Sequence, residues 1–186
     1  MDLVKVVEEI LLTPPRCGST HVLAIDGRAG AGKTTLANNL FLALSATCPA
    51  ALIHMDEMYE GWESALGESL TERLSNLLED LSRGVPHQLP IYDWHVKAFN
   101  AFREIMPTCI LILEGVGSAQ RIVREFATAT FWLDIDSETG LTRVLERDEK
   151  ISEPFMSQWQ VDEDEHHRRE KTRENADFVL STISPF

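Results

Sequence analysis

A glycine-rich stretch near the N-terminus constrains the fold more than any other feature of the chain. Residues 24–40 read AIDGRAGAGKTTLANNL and place three glycines, a lysine and two threonines between an apolar run and a helix-like run. The segment from Gly27 to Thr34 matches the pattern G-x-x-x-x-G-K-[ST] at every fixed position. Because the match follows a predicted strand and opens a predicted helix, it has the context that a phosphate-binding loop requires.

The residue types of this loop predict how it would hold a nucleotide. Without side chains at the glycines, the backbone can turn its N–H groups inward as an anion-binding nest, and the following helix adds the positive end of its dipole. Lys33 can bridge β- and γ-phosphate oxygens, and the Thr34 hydroxyl can bind Mg²⁺. We therefore predict that ATP and Mg²⁺ bind here, with ATP held by Gly27, Arg28, Ala29, Gly30, Ala31, Gly32, Lys33, Thr34 and Thr35.

The rest of the chain alternates strand-like and helix-like segments. The apolar strand candidates are His21–Asp26, Ala51–Asp56, Cys109–Glu114, Thr130–Asp134 and Asp177–Thr182. Helical spacing occurs between them at Lys33–Leu44, Leu66–Arg83, Ser118–Phe126, Glu138–Glu149 and roughly Ser157–Arg173. Because short apolar strands separated by helices are typical of a parallel sheet covered on both faces, we predict an α/β P-loop NTP hydrolase fold with five parallel strands.

Size, charge and cysteine content limit the functions that the chain can have. Its 186 residues predict a single P-loop domain over 1–186, with an N-terminal helix in 1–15 that ends at two prolines and does not resemble a signal peptide. The net charge of −13 disfavours a nucleic acid partner, and no apolar run is long enough to predict a membrane span. Three widely spaced cysteines indicate a reducing cytoplasm, and a homo-oligomer is compatible with the sequence.

Motifs of other phosphate-loop classes are absent from the sequence. GTPases of this fold carry an N-K-x-D motif and ABC ATPases carry an L-S-G-G-Q-like stretch, and the sequence contains neither. A chain of 186 residues also leaves no room for an added AAA-type lid domain. These exclusions favour a small-molecule kinase, whose partner would be a small phosphoryl acceptor.

Five further segments, in the expected order, resemble the uridine kinase-like family of P-loop nucleoside and nucleotide kinases. The last of them, NADFVL (175–180), resembles that family's final strand. ALIHMDEMYEGW (51–62) is similar to that family's second strand, and LPIYDWHVKAFN (89–100) to its acceptor segment. ILILEGVGS (110–118) resembles its strand that ends in Glu-Gly. LTRVLERDE (141–149) resembles its arginine-bearing lid, which would occupy about 140–172 with the following helix. The resemblance implies a nucleoside acceptor such as uridine or cytidine. The chain departs from the family in having Asp56-Glu57 where two aspartates are usual, and in the spacing of its lid arginines.

Acidic and basic residues outside the loop complete the predicted catalytic set. Asp56 ends a strand, where a carboxylate can accept the proton of an attacking hydroxyl, and Glu114 ends another, where it can assist Mg²⁺. Arg143 and Arg147 lie four residues apart on one helix face and can stabilise the transferring phosphoryl group. The predicted catalytic residues are Lys33, Asp56, Arg143 and Arg147, and the predicted metal ligands are Thr34 and Glu114.

Aromatic and polar residues of the middle segments are predicted to bind the acceptor. Aromatic rings can stack on a base or a sugar, and Asp93 and His95 can supply hydrogen bonds. The predicted substrate-binding residues are Asp56, Tyr59, Trp62, Tyr92, Asp93, Trp94 and His95. We further expect Lys33 to face solvent without ligand and His54 to pack within its strand. The arginines at 168, 169 and 173 are expected to pair with Glu163, Glu165 and Glu170 at the surface.

Two other functions are compatible with the same motifs. A nucleoside monophosphate kinase would need arginines for the acceptor's phosphate, and the mid-chain offers Arg73, Arg83 and Arg103. A regulatory protein that binds ATP without catalysis would keep the loop but not need Asp56.

Overall fold

The computed structural model describes residues 3–147 and 153–181 of the chain. Its helices are α1 (Leu3–Ile10), α2 (Lys33–Leu44), α3 (Glu68–Ser82), α4 (Arg121–Phe126), α5 (Ser137–Arg147) and α6 (Glu153–Glu170). Its strands are β1 (His21–Gly27), β2 (Ala50–His54), β3 (His87–Asp93), β4 (Ala98–Ile105), β5 (Ile110–Glu114), β6 (Ala127–Asp134) and β7 (Phe178–Ser181). A 3₁₀ turn, Met55–Glu57, follows β2.

Five strands form one parallel sheet in the order β2-β5-β1-β6-β7. The strand β1, which leads into the glycine-rich loop, lies at the centre between β5 and β6. Each of the five predicted strands is present, with bounds that differ by no more than three residues. The predicted five-stranded parallel α/β fold is therefore confirmed, whereas the predicted single domain over 1–186 stays a prediction.

Helices cover both faces of this sheet, as predicted. Side chains along β1 alternate between two buried clusters, with Val22 and Ala24 on one face and Leu23 and Ile25 on the other. The first cluster includes the leucines of α3, and the second includes Leu36, Ala37, Leu40 and Leu44 of α2. Burial on both faces explains why β1 is apolar at nearly every position and lacks the alternation of a half-exposed strand.

A two-stranded antiparallel hairpin of β3 and β4 was not predicted from the sequence. Its first strand buries Leu89 and Tyr92, three residues apart across a bulge, so the strand lacks regular alternation, and Pro90 within it also argues against a strand by sequence rules. The turn contains Lys97 with φ of 55°, a left-handed backbone conformation that is uncommon for lysine. The proline is tolerated because the ribbon has only two strands, so Pro90 lies in an edge strand.

Several helix bounds differ from those predicted. The predicted N-terminal helix of 1–15 is confirmed only over Leu3–Ile10, well before the prolines. Helix α5 is described to Arg147, so the predicted extension to Glu149 lies outside the described residues. Helix α6 begins at Glu153, earlier than expected, and ends at Glu170, after which Lys171 has φ of 52°. None of the described helices combines the length and apolarity required to cross a bilayer.

Candidate active site

A cavity of about 540 Å³ opens where the strands of the parallel sheet end, next to the glycine-rich loop. The residues that line it include thirteen that the sequence analysis predicted for the site: Ala29, Gly30, Gly32, Lys33, Thr34, Thr35, Asp56, Tyr59, Trp62, Trp94, Glu114, Arg143 and Arg147. Gly115, Val116, Val144, Met156 and Trp159 also line it and were not predicted. Residues that are up to 130 positions apart in sequence thus meet at one site, at the edge of the sheet where ligands bind in open α/β folds.

The glycine-rich loop leads directly into helix α2. The residue before the helix, Gly32, has φ of 89°, and no side chain caps the first turn by a hydrogen bond. Lys33 is buried, with 8% of its surface exposed, and its Nζ donates to the carbonyl oxygens of Gly27 and Arg28, each at 2.8 Å. The expectation that Lys33 faces solvent was therefore wrong, because the two carbonyls hold its ammonium group within the loop. Bound phosphate oxygens would have to compete with these carbonyls for the lysine.

Thr34 and Glu114 lie together at the cavity wall. The Thr34 hydroxyl donates to Glu114 Oε1 at 3.1 Å, and Glu114 is buried at the end of β5. His54 Nδ1 also contacts Glu114 Oε1, so this histidine does more than pack within β2. Oxygen donors of this kind are the ligands that Mg²⁺ prefers, and the pair therefore fits the predicted metal role. The strand register explains the meeting, because both His54 and Ile25 pair with Glu114.

Asp56 lies in the 3₁₀ turn that follows β2 and lines the same cavity. Solvent reaches its side chain, but the cavity walls surround it, and this burial within the site raises its pKa above the usual 3.8. The negative charge of Glu114 raises the pKa further, whereas Lys33, Arg147 and His54 partly oppose the rise. A carboxylate with a raised pKa is a stronger base, as proton abstraction from a hydroxyl requires.

An aromatic group forms the wall of the cavity near Asp56. Trp62 is the centre of this group and packs against Trp94 at 5.3 Å, Trp159 at 5.6 Å and Phe155 at 5.2 Å between ring centroids. The Trp94 indole donates to the Asp56 carbonyl oxygen at 3.0 Å, so this ring is fixed relative to the predicted base. Of the rings predicted to bind the acceptor, Tyr59, Trp62 and Trp94 line the cavity.

Three predicted acceptor residues lie in the hairpin and do not contribute to the cavity lining. Tyr92 is buried between Trp94 and Phe99 and supports the aromatic wall from behind. Asp93 accepts hydrogen bonds from the backbone N–H groups of His95 and Val96, in the geometry of an Asx turn, and His95 itself is exposed. Any direct substrate contact by Tyr92, Asp93 or His95 stays a prediction.

Helix α5 brings the two predicted lid arginines, Arg143 and Arg147, to the cavity. The helix approaches the glycine-rich loop so closely that a Cβ on Gly30 would lie 2.2 Å from the Gly140 carbonyl oxygen. A Cβ on Gly140 would in turn lie 2.7 Å from the carbonyl oxygen of Ala29. Glycine at both positions therefore lets the loop and the lid helix touch, and this contact keeps both arginines near the phosphate site.

A buried carboxylate anchors the start of the loop. Asp26 is fully buried, and its oxygens accept hydrogen bonds from the backbone N–H groups of Gly27, Gly117 and Ala119 at 2.7–3.1 Å. His167 of α6 contacts it as well, at 3.3 Å. Burial alone would raise the pKa of Asp26, but the bonds from His167 and from the backbone outweigh it and lower that pKa. These contacts also explain why α4 begins at Arg121 and not at Ser118, since residues 117–119 form a loop around Asp26.

Replacing Asp26 by asparagine should lower the free energy of unfolding by about 1–3 kcal/mol, because a carboxamide leaves a buried N–H without its acceptor. Since the pKa of Asp26 is lowered in the folded protein, its stabilising effect is present above the ordinary pKa of 3.8 and is lost as the pH falls through the folded value. Urea denaturation at neutral pH measures the change. Glu125→Gln, at an exposed carboxylate, is the control, and an equal effect of the two substitutions would contradict the anchoring role.

Helix α6 contributes functional residues that the sequence did not reveal. Met156 and Trp159 line the cavity, and Glu163 is buried against the phosphate loop and does not form the expected surface pair. Of the arginines expected to pair with acids of α6, Arg169 does contact Glu170 at 3.6 Å, but Arg173 pairs with Asp134 at 2.9 Å. Residues four apart on a long helix share a face, so Trp159 and Glu163 could have been recognised as neighbours from the sequence. The many charged residues of α6 resembled a solvated surface instead.

The three mid-chain arginines considered for a phosphate-bearing acceptor are placed elsewhere. Arg103 pairs with Glu57 at 2.7 Å, and Arg83 is largely exposed and pairs with Asp80. Arg73 stacks over the ring of Phe99 at 4.7 Å from its centroid. These three arginines are not among the described residues that line the cavity.

The known proteins with similar sequences include uridine kinases. No protein-family model matches the chain. It is 28% identical over 142 residues to a chloroplastic uridine/cytidine kinase of Arabidopsis thaliana, which covers 68% of this chain and 29% of that protein. It is 24% identical over 147 residues to a uridine kinase of Staphylococcus aureus, which covers 71% of this chain and 70% of that relative. The chain therefore spans less than a third of the length of the Arabidopsis relative.

Solved structures show the same fold over nearly the whole chain. A Bacillus stearothermophilus protein described as a possible uridine kinase has a TM-score of 0.67 at 23% identity, covering 97% of this chain and 100% of its own. A Silicibacter protein, provisionally assigned as a fructose transport system kinase, has a TM-score of 0.68 at 22% identity, covering 97% of this chain and 99% of its own. The chain thus has the same fold as these solved structures, and its sequence is similar to those of the two uridine kinases.

Proposed function

We propose that the protein is a kinase that transfers the γ-phosphoryl group of ATP to a hydroxyl group of a small molecule, most simply a nucleoside such as uridine or cytidine. The observation that carries the proposal is the meeting of Lys33, the Thr34–Glu114 pair and Asp56 in one cavity. These groups correspond to the phosphate clamp, the metal ligands and the base that phosphoryl transfer needs.

Each group has a defined task in the proposed transfer. Asp56 accepts the proton of the acceptor hydroxyl. The hydroxyl oxygen then bonds to the γ-phosphorus of ATP, and the bond from that phosphorus to the bridging oxygen breaks, so that ADP leaves. Lys33 and the arginines of α5, Arg143 and Arg147, neutralise charge on the phosphoryl oxygens. Thr34 and Glu114 would hold Mg²⁺, which would supply further charge neutralisation when bound. Because the protein supplies both the proton acceptor and the cations, no covalent enzyme intermediate is needed.

Two features support a hydroxyl acceptor over a monophosphate. Four aromatic side chains, Tyr59, Trp62, Trp94 and Trp159, line the cavity together with Asp56, and such rings pack well against an uncharged base or sugar. Among the described residues of the lining, the cations are Lys33, Arg143 and Arg147, which the transferred group already engages. Retention of both Lys33 and Asp56 in the cavity also favours catalysis over a purely regulatory role.

The proposal is tested by ADP release from ATP with Mg²⁺ against a panel of nucleosides, nucleoside monophosphates and sugars. We expect release that depends on an added nucleoside and increases with its concentration. Dependence on a monophosphate would favour the alternative kinase class, and dependence on a sugar would assign a different acceptor. Tight ATP binding without acceptor-dependent release anywhere in the panel would instead support a regulatory ATP-binding protein.

Replacing Thr34 by valine should raise the Mg²⁺ concentration needed for half-maximal ADP release, because valine keeps the shape but removes the hydroxyl ligand. A substitution of this kind typically costs about tenfold or more in metal affinity. Thr34→Ser keeps the hydroxyl and is the matched control. An unchanged Mg²⁺ requirement in Thr34→Val would remove Thr34 from the metal site.

A further inference from the structure

Glu163 connects the phosphate loop to the aromatic wall of the cavity. Only 1% of its surface is exposed, although it lies on a helix that is otherwise rich in solvated charges. Its Oε2 accepts hydrogen bonds from the backbone N–H of Ala29 at 2.9 Å and from the indole N–H of Trp159 at 3.2 Å. Its other oxygen lies 3.6 Å from the guanidinium of Arg28. One carboxylate oxygen therefore joins a loop amide to a ring that lines the cavity.

The position of Trp159 in turn affects the rest of the aromatic wall. Its ring packs against Tyr59 at 5.5 Å and edge-on against Trp62 at 5.6 Å between centroids. Ala29 is itself part of the cavity lining, on the phosphate-loop side. Any shift of the loop amide when phosphate binds must therefore either move the carboxylate and Trp159 with it or break a charge-assisted hydrogen bond.

The Glu163 carboxylate is buried and therefore differs from a solvent-exposed member of a surface ion pair. Burial raises the pKa of Glu163, and the Ala29 N–H together with the charges of Lys33, His167 and Arg28 partly opposes that rise. Placing an acidic group in such surroundings costs free energy unless its hydrogen bonds are made. The hydrogen bonds from the Ala29 N–H and the Trp159 indole N–H therefore offset the cost of burying the Glu163 carboxylate.

We propose that Glu163 is a positioning residue that couples occupancy of the phosphate loop to the placement of Trp159 in the acceptor wall. This inference rests on the proposed function, since it assumes that nucleotide binds at the loop and acceptor beside the aromatic rings. Nucleotide binding would place Trp159 for the acceptor and so raise the affinity for the acceptor. Acceptor binding would raise the affinity for the nucleotide by the same factor, because such coupling is reciprocal. Glu163 touches neither reacting group and acts through Ala29 and Trp159.

The first test follows Trp159 by fluorescence while a non-hydrolysable ATP analogue with Mg²⁺ is added. The Trp159 contribution is obtained by subtracting the signal of Trp159→Phe, and calorimetry measures analogue binding in parallel. We expect the Trp159 signal to change in the wild-type protein and in Glu163→Gln, whose amide oxygen can still accept both hydrogen bonds. In Glu163→Ala the analogue should still bind, but the Trp159 signal should no longer respond.

The second test measures coupling directly and does not require Glu163→Ala to fold. The dissociation constant of uridine is measured with and without the saturating analogue, and we expect about 5–150-fold tighter binding with it in the wild-type protein. Trp159→Phe, which removes the indole N–H, should bring this ratio close to one, and Glu163→Gln should retain it.

The outcomes separate the inference from the proposed function. A Trp159 response that persists in Glu163→Ala, or a uridine ratio that Trp159→Phe leaves unchanged, would overturn the coupling role and make Glu163 only a structural contact. Normal analogue binding with no Trp159 response in the wild-type protein would also overturn it, while leaving the proposed function intact. Absence of analogue binding to the wild-type protein would defeat the proposed function itself, and the inference with it.

Discussion

Asp56→Asn should reduce kcat by about 10²–10⁴-fold, the usual contribution of a positioned general base. Asparagine keeps the size of the side chain and its ability to hydrogen-bond, but it cannot take the proton of the acceptor hydroxyl. The dissociation constant for ATP should change little, because Lys33 and the loop amides supply that binding. The wild-type dependence of kcat/KM on pH should show an acid limb above the ordinary aspartate pKa of 3.8, since the pKa of Asp56 is raised.

Protein stability gives an independent check on the same substitution. Because burial and Glu114 raise the pKa of Asp56 in the folded protein, the ionised group opposes folding at neutral pH. Its contribution is favourable only below the unfolded pKa and is lost as the pH rises through the raised value. Asp56→Asn should therefore have a Tm at pH 7 that is equal to or above that of the wild-type protein. An unchanged kcat in this stable variant would remove Asp56 from catalysis.

Lys33→Met should lower kcat/KM by about 10²–10³-fold, the typical loss when one preorganised donor to transition-state charge is removed. Methionine keeps much of the side-chain length but cannot neutralise phosphate oxygens. Because Lys33 Nζ also donates to the carbonyls of Gly27 and Arg28, the variant should lose about 1.5–3 kcal/mol of stability, the range for hydrogen bonds to charged groups. Steady-state kinetics and urea denaturation measure the two effects separately.

Lys5→Met, at an exposed lysine of α1, is the matched control for the kinetics and should leave kcat/KM unchanged. The loss of kcat/KM in Lys33→Met is separated from its loss of stability by measuring ADP release well below the denaturation midpoint of the variant, where the protein is folded. If the folded Lys33→Met variant retains the wild-type kcat/KM, the glycine-rich loop is not the site that binds ATP as the phosphoryl donor.

The sequence predicted those parts of the site whose physical demands are local. The helix Lys33–Leu44 has the predicted bounds, because a loop that exposes backbone N–H groups to phosphate must end where a helix begins. Asp56 and Glu114 were found because each follows an apolar run, and the carboxyl ends of parallel strands share one edge. Their arrival at the same cavity as Lys33 is a consequence of the strand order, in which β1 and β2 both flank β5.

Parts that depend on distant contacts were not predicted. Glu163 looked like one acid in a solvated run, and its partner Ala29 lies 134 residues earlier in the chain. His54 was expected only to pack within its strand, since nothing local indicates that the Glu114 carboxylate lies beside it. Lys33 was expected to face solvent because its carbonyl partners are backbone atoms, which residue types do not reveal. In each case the side chain's environment is set by tertiary structure and not by its neighbours in sequence.

Product analysis tests the central claim most directly. The protein is incubated with ATP, Mg²⁺ and the acceptor that promotes ADP release, and the product is examined by mass spectrometry and ³¹P NMR. We predict a phosphate monoester on an acceptor hydroxyl, formed in equal amount to ADP and lost in Lys33→Met. ADP formation without a phosphorylated acceptor, or a product phosphorylated on an existing phosphate, would contradict phosphoryl transfer to a hydroxyl group.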